Sequence, residues 1–316
     1  MRSANLDDIP AVVAVGRACN LEEIGEFDVH EKWVHDEWVR PRFDPSTDAW
    51  IVMEPGGEVV AATYTWEEEP HTLFDTAGWV HPEHRGRGIG TALVLVVEGR
   101  ALRFGEVPPG KAPRVLQSFD ADASGAYDPD ASGARALFEG LGYSPEREYL
   151  HMEIDVPDGF DLGDAPAGIT IRPRVETDDR AIVAVMAEGF QDPWDYEEAQ
   201  QEWLVSETYD PSLWFVALDG EEMVGALFGY ITNGRGRVSA IAVRDTWRRR
   251  GIAQGLLGAA FVMFRERGAP NVRLNVDRDN ATGATHLYDR AGMRLRRRWL
   301  IVAKSLTAAP DGSSQE

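Results

Sequence analysis

Cysteine is almost missing from this chain: Cys19 stands alone among 316 residues. A single thiol excludes an internal disulfide and fits a reducing compartment. Long apolar runs are missing too. None approaches the roughly 20 residues that span a bilayer, and no apolar stretch follows Met1 and Arg2 to mark a secretory signal. Together these absences predict a cytoplasmic protein with no membrane contact. Positive charge is scarce: 32 Lys and Arg face 53 Asp and Glu, a formal net charge of −21. That balance speaks against wholesale binding to nucleic acid or to an anionic membrane, and favours cationic small molecules such as amines. No Cys/His cluster has metal-ligand spacing, so no metal is expected. The Gly-x-x-x-x-Gly-Lys-Ser/Thr phosphate loop is also absent.

What is present fits a globular protein, with 43% apolar and 27% charged residues. The length exceeds one ordinary core and predicts two domains. One stretch organises the chain. Val238 to Val243 is a short apolar run that passes through a polar turn to Arg248-Arg249-Arg250-Gly251-Ile252-Ala253. An apolar-periodic segment follows, with Leu256, Leu257, Ala260, Phe261 and Phe264. The order is strand, basic glycine-bearing loop, helix. The first turn of a helix carries free N–H groups at its positive end, which suits a pyrophosphate. Gly251 lets the backbone approach a ligand with no Cβ in the way. The stretch occurs twice: Val80-His-Pro-Glu-His-Arg85-Gly86-Arg87-Gly88-Ile89-Gly90 repeats it, with Val80 standing for Val243 and Arg85 for Arg248.

The rest of the chain repeats in the same order. The first half reads as a helix capped by Asn5, a helix near Val29 to Arg40, and a hairpin of Trp50 to Met53 with Val59 to Trp66. Then come a strand to Val80, a helix from Ile89, a strand at Arg114 to Phe119, a long loop at Asp120 to Ser132, a helix closed by Gly142, and a strand from Tyr149. The second half reads as a strand at Thr170, a helix from Asp178, a helix at Tyr196 to Glu207, and a hairpin of Trp214 to Leu218 with Val224 to Ile231. After its loop and helix come a strand at Val272 to Val276, a helix to Arg290, and a last strand at Trp299 to Lys304. A second motif repeats as well, Phe138 to Gly142 standing for Tyr288 to Gly292. This repetition predicts a duplicated domain rather than a solenoid. Pro157 to Gly168 is rich in Gly and Pro and reads as a linker.

The doubled Arg-x-x-Gly-x-Gly/Ala loop, and the helix carrying Asn280 and Tyr288, resemble the GNAT (GCN5-related) N-acetyltransferases. The resemblance covers nearly the whole chain. It implies an α/β (α+β) fold of two tandem GNAT domains, each a mixed, mostly antiparallel sheet flanked by helices. The expected spans are 1–155 for the first domain, 156–168 for the linker, 169–306 for the second domain and 307–316 for a disordered tail.

The same resemblance implies acetyl-CoA as cofactor. Its pyrophosphate would lie on Arg248, Arg249, Arg250, Gly251, Ile252 and Ala253, and its pantetheine arm along the main chain of Ile241, Ala242 and Val243. Asn280 would contact the cofactor arm. The first half offers Val80, Arg85, Gly86, Arg87, Gly88, Ile89 and Gly90 for the same purpose. Tyr288 would act as general acid, returning a proton to a thiolate whose ordinary pKa is about 8.5. The alternative for Tyr288 is a core tyrosine on an amphipathic helix. Phe138 stands at its place in the first half and cannot donate a proton. That half is then a CoA site without efficient catalysis, a structural duplicate, or a site using Tyr127 or Tyr143. Asp192, Trp194 and Ser239 are candidates for the acceptor pocket. Ser239 stands near the place where many family members carry a glutamate, and a serine is no base unaided. The acids near Asp192 are otherwise a solvated loop. His286 reads as structural, since residues two apart on a helix do not share a face.

The function expected is acetyl transfer from acetyl-CoA to a primary amine of a small molecule by direct attack. The alternatives are a CoA-binding sensor without turnover, and an acetyltransferase of peptide or protein N-termini. The acceptor and a monomer or homodimer complete the expected partners.

Overall fold

The computed structural model describes residues 1–25, 29–68, 72–104, 107–108, 110–123, 133–163, 165–191, 196–197, 210–280 and 283–306. The first half of the chain forms β1 (Arg2–Ser3), α1 (Ile9–Ile24), α2 (Glu31–Trp38), α3 (Pro45–Asp48), β2 (Ala49–Met53), β3 (Val59–Glu68) and β4 (Leu73–Val80). It continues with α4 (Ile89–Leu102), β5 (Arg114–Ala123), α5 (Ala134–Gly140) and β6 (Ser144–Asp155). The second half forms β7 (Ile169–Pro173), α6 (Asp179–Phe190), β8 (Phe215–Asp219), β9 (Glu222–Thr232), β10 (Arg235–Val243), α7 (Ile252–Glu266), β11 (Asn271–Asp277), α8 (Ala284–Arg290) and β12 (Arg294–Ser305).

Small polar brackets set the same turns in both halves. Arg2 donates to Asp8 at 2.8 and 2.7 Å, and Asp8 also accepts from the Asn5 amide. Arg172 donates to Asp178 at 2.6 and 2.9 Å, and Asp178 accepts from the Val175 amide. Asp44 and Asp210 each accept from the amide two residues on, Ser46 and Ser212, at 2.9 and 3.0 Å. These aspartates satisfy helix-entry donors that have no partner of their own.

The chain divides into two compact units, residues 1–148 with 297–316, and residues 149–296. Unit 1 carries strands in the order β1-β2-β3-β4-β5-β12, and unit 2 carries β7-β8-β9-β10-β11-β6. The sixth strand of each unit therefore comes from the other half of the sequence. Tyr149–Asp155 of β6 pairs antiparallel with β11, and Arg297–Ser305 of β12 pairs antiparallel with β5. The spans 1–155 and 169–306 expected from the sequence differ from these units at that point. The reason is edge pairing: β5 and β11 each present an open edge, and either late strand has the pattern to cover it.

The expected linker is not inert either. Phe160 packs against Phe261 of α7 with ring centroids 5.7 Å apart, and an ideal Cβ at Gly258 would lie 3.1 Å from Leu162. The missing side chain at Gly258 is what lets that segment lie close to the helix. The 120–132 region expected as loop is strand as far as Ala123. Residues 124–132, most of the helix expected at Tyr196 to Glu207, and the tail 307–316 lie outside the described residues.

In each unit the sheet is covered by helices on both faces. Val12 and Val13 of α1 pack on Ile51, Ala62 and Tyr64, while Val94, Val97 and Ala101 of α4 pack with Phe74, Val115 and Phe119. In unit 2, Ile182, Val185 and Met186 of α6 pack on Val216, Ala226 and Phe228. Leu256, Leu257, Phe261 and Phe264 of α7 pack on Phe215, Leu227, Val272 and Leu274. Among the described residues, no helix is long and apolar enough to cross a membrane.

One feature of the sheets positions the site. The parallel strands β10 and β11 pair only at Gly236 with Val272 and Arg237 with Arg273, then diverge. In unit 1, β4 and β5 pair only at Leu73 with Arg114 and Phe74 with Val115. In β10 the register with β9 slips between Val238 and Ala240, so Ser239 is an inserted, unpaired residue. Such a bulge bends its strand.

Two outcomes follow. A Cβ at Gly236 would sit 2.7 Å from the ring of Phe264, so Gly236→Ala should destabilise the protein by about 1–3 kcal/mol in urea denaturation. A fragment of residues 169–293 has neither β6 nor β12 to cover the edge of β11 and should aggregate on gel filtration, whereas residues 144–293, which retain all six strands of unit 2, should stay monodisperse.

Candidate active site

The divergence of β10 and β11 opens a cleft of about 950 Å³ in unit 2. One wall is β10 from Val238 to Val243, and the other is β11 from Leu274 to Asp277. The floor of one end is the turn into α7, and the first residues of α8 close the side. The cleft is largely apolar, with a few convergent polar groups, as small-molecule sites usually are.

At the turn, Arg249 has φ +62° and Gly251 has φ +84°. Left-handed residues in such alternation turn successive N–H groups toward one side, a backbone shape suited to an anion, at the start of α7. Arg248 donates from Nε to the Val243 carbonyl at 3.1 Å and pairs with Asp245 at 2.8 Å. Arg250 turns away, donating to the Thr246 carbonyl at 3.0 Å, and does not line the cleft. Arg249 makes no ion pair with the described residues. Ile252 and Ala253 form the first helical turn. Asn280 donates its amide to the Asp277 carbonyl at 3.1 Å at the mouth of the cleft.

Tyr288 lines the cleft from α8 and is buried, with 6% exposure. It belongs to the unit 2 core cluster with Val276, Ala291 and Met293. The core reading and the site reading thus describe the same ring. Burial pushes its phenol up to about 12. Ser239 is exposed at the bulge and lines the cleft. Asp192 and Trp194 lie outside the described residues, as does Tyr127.

The sequence reading missed several residues that line the cleft: Tyr149 from β6, Asn275 and Asp277 from β11, and His286 from α8. Asn275 had a signal, since it is a polar residue between apolar Leu274 and Val276. Tyr149 had none, because its place depends on the exchanged strand. His286 was expected to be structural. It is exposed at the rim, while Tyr288 lies deep, because the cleft wraps the first turns of α8.

Unit 1 repeats the turn but not its surroundings. Gly86 and Gly88 have φ +73° and +77°, and Gly88 caps α4, whose first residues are Ile89 and Gly90. The Val80 carbonyl accepts from Cys19 Sγ at 3.2 Å and Arg85 Nε at 3.3 Å. Arg85 also pairs with Glu22 and, at 2.7 Å, with Glu23. Arg87 pairs with Glu54 at 3.3 Å. A Cβ at Gly90 would lie 3.1 Å from Leu137, so α5 leans on the helix end. No bulge interrupts β3 and β4. Phe138 packs at 5.6 Å from Phe119 and 5.5 Å from Tyr143. Burial raises the Tyr143 phenol, and the same cause pushes the Cys19 thiol up to about 12.

His81, Glu83 and His84, in the turn before Arg85, do bring ligand atoms within 4.8 Å of one another. The Arg87 guanidinium lies 3.3 Å from His84 Nδ1, so a cation is already present there. Near the C-terminus, Arg297 lies 3.5 Å from Asp120 and Arg298 lies 3.6 Å from Glu148.

The sequence model of the acetyltransferase (GNAT) family matches residues 16–107 and 180–293. A mycothiol acetyltransferase of Streptomyces scabiei is 32% identical over 251 residues, covering 77% of this chain and 75% of that protein. Its counterpart in Tsukamurella paurometabola is 28% identical over 243 residues, covering 72% and 76%. Among solved structures, a GCN5-related N-acetyltransferase from Sphaerobacter thermophilus superposes with a TM-score of 0.82 at 30% identity, covering 99% and 98%. A tandem GNAT protein from the clavulanic acid biosynthesis pathway shares the fold, with a TM-score of 0.72 at 17% identity and 98% coverage of each chain. With the family matched in both halves, the chain belongs to the GNAT acetyltransferases, as a tandem N-acetyltransferase similar in layout to the mycothiol acetyltransferases.

Proposed function

We propose that unit 2 transfers the acetyl group of acetyl-CoA to a primary amine of a small molecule, with Tyr288 as the general acid. The carrying observation is a buried, neutral phenol in a cleft whose other end is a helix-end anion cradle. The cradle fits a diphosphate: its N–H groups converge, and Arg249 extends beside them unpaired with any described residue. The diverging edge of β10 at Ile241 to Val243 fits an extended amide-bearing arm, which would pair with its main chain as an added strand. Asn280 stands at the mouth, where that arm would enter.

When bound, acetyl-CoA supplies the activated acyl group. The chain supplies position and a proton. The amine nitrogen would bond to the thioester carbon as the C–S bond breaks, Tyr288 would give its proton to the leaving sulfur, and the proton lost by the amine to solvent would be matched by one that solvent returns to Tyr288. Asp277 is the only carboxylate among the described lining residues, and its charge favours a cationic acceptor at that end. Ser239 is exposed at the bulge and would contact the acceptor, and Asp192 and Trp194 remain candidates for the same pocket. Relatives that carry the name mycothiol acetyltransferase favour a small-molecule acceptor over a peptide. Unit 1 does not turn over in this reading: Phe138 offers no proton and is packed among aromatic rings.

Tyr288→Phe should lower kcat by about 10²-fold or more while leaving the KM for acetyl-CoA within about twofold, read by free-thiol release. Phe138→Tyr should leave the rate unchanged. Equal rates for Tyr288→Phe and the unaltered protein would remove the general acid from the scheme.

The phenol also predicts a pH effect. Its folded pKa is about 12, above the ordinary 10.0, so the fold favours the neutral form. The stability this contributes is complete below about pH 10 and is lost as pH rises toward 12. Across that window the unaltered protein should lose more stability than Tyr288→Phe, measured by urea denaturation.

A further inference from the structure

The exchanged strand brings a polar ladder to one face of β6 and β11. Directly opposite pairs are Asp155 with Asn271, Glu153 with Arg273, His151 with Asn275, and Tyr149 with Asp277. Opposite residues share a face of the sheet, so these eight side chains lie on one side, away from buried Val272, Leu274 and Val276. Their bonds tie the strands together. Asn271 donates to Glu153 at 2.9 Å and Asp155 at 2.8 Å, and Arg273 pairs with Glu153 at 2.9 Å. Further along, His151 Nδ1 lies 2.7 Å from Asn275 Oδ1. The ladder runs into the cleft at Asn275.

The His151–Asn275 contact has a defined sense. A carboxamide oxygen can only accept, so Nδ1 of His151 is the donor and carries the proton. His151 is buried with 4% exposure, which fixes the ring behind the cleft wall. With Oδ1 engaged, the Asn275 amide group is turned outward. Its Nδ2 donates to none of the described residues, and Asn275 is exposed to the cleft.

We propose that Asn275 is an acceptor-recognition residue, held by His151 as a positioning residue, and that it selects amines bearing an oxygen atom near the reacting nitrogen. Two N–H donors of fixed direction match a hydroxyl, ether or carbonyl oxygen. They offer nothing to a hydrocarbon amine, which would cover the donors on binding without matching them. The inference rests on the proposed transfer reaction in unit 2. It adds the chemical class of the acceptor, and it explains why a strand from the first half of the sequence completes the second cleft.

The test compares glucosamine and glycinamide with cyclohexylamine as acceptors for the full chain, by thiol release. The unaltered protein should favour the oxygen-bearing amines in kcat/KM. Asn275→Ala should lower that preference about tenfold by raising the acceptor KM, with the KM for acetyl-CoA unchanged. His151→Leu should act in the same direction. His151→Asn places an amide donor near the Nδ1 position and should restore the preference, which a merely structural role would not require. An unchanged preference in Asn275→Ala, with the unaltered protein active, overturns this inference alone. No thiol release by the unaltered protein with any of these amines overturns it together with the proposed reaction. If His151→Leu fails to fold, Asn275→Ala and His151→Asn decide.

Discussion

Two parallel residue pairs tie β10 to β11, and the cleft depends on their ending where they do. The tie is held by a ring under a glycine. Phe264 of α7 lies beneath Gly236, with no room for a Cβ. Close packing there fixes the near ends of both strands to the core. Beyond it, Ser239 inserts into β10 and bends it away from β11. The result is a stretch of β10 edge that lines the cleft and is not paired with β11. A strand edge left without a neighbour strand has backbone groups to offer another partner.

The two units show what happens when that arrangement is kept or filled in. Both have the short parallel tie, the positive-φ turn and the helix behind it. Unit 1 lacks the bulge, and Thr76 is buried there with its hydroxyl 3.4 Å from that of Thr65. Phe138 takes the place of Tyr288 and joins an aromatic cluster. The arginines of the turn are paired with Glu22, Glu23 and Glu54, so carboxylates already balance the charge that a phosphate would meet. Each change moves the same way, toward a packed module whose turn has kept its backbone shape and lost its free charge.

The elements were legible in the sequence because the two halves check each other. A strand assigned at Trp50 gains weight from one at Trp214, and the Asp-Pro-Ser turns before them repeat to the atom pair. The loop with Gly251 was singled out by its arginines and glycine between a strand and a helix, and Tyr288 by the resemblance to the GNAT family, since a tyrosine on an amphipathic helix is otherwise a core residue. The exchange of β6 and β12 was not legible. Both are 12-residue strands with polar starts and more apolar second halves, and no local property says which open edge each covers. Everything that depends on that choice was hidden with it: Tyr149 at the cleft, His151 behind Asn275, and the ladder along β11. Sequence periodicity reports which face of a strand is buried. It does not report the neighbour.

Arg249 shows how backbone and side chain can want different residues. Its φ of +62° is one that L residues adopt at a cost of roughly 1–2 kcal/mol, and glycine adopts freely. Gly86 at the matching place in unit 1 meets the same backbone requirement without that cost. The turn therefore does not need arginine for its shape. Nor does the fold use the side chain, which makes no ion pair with the described residues. What the arginine adds is a positive charge on a rigid turn, beside N–H groups already aimed at one point. In a chain of net charge −21, such a charge does not arise from composition. The strain is explained if the group it faces is an anion that arrives from outside. Unit 1, with glycine there and its neighbouring arginines neutralised, carries the shape of that site without the charge.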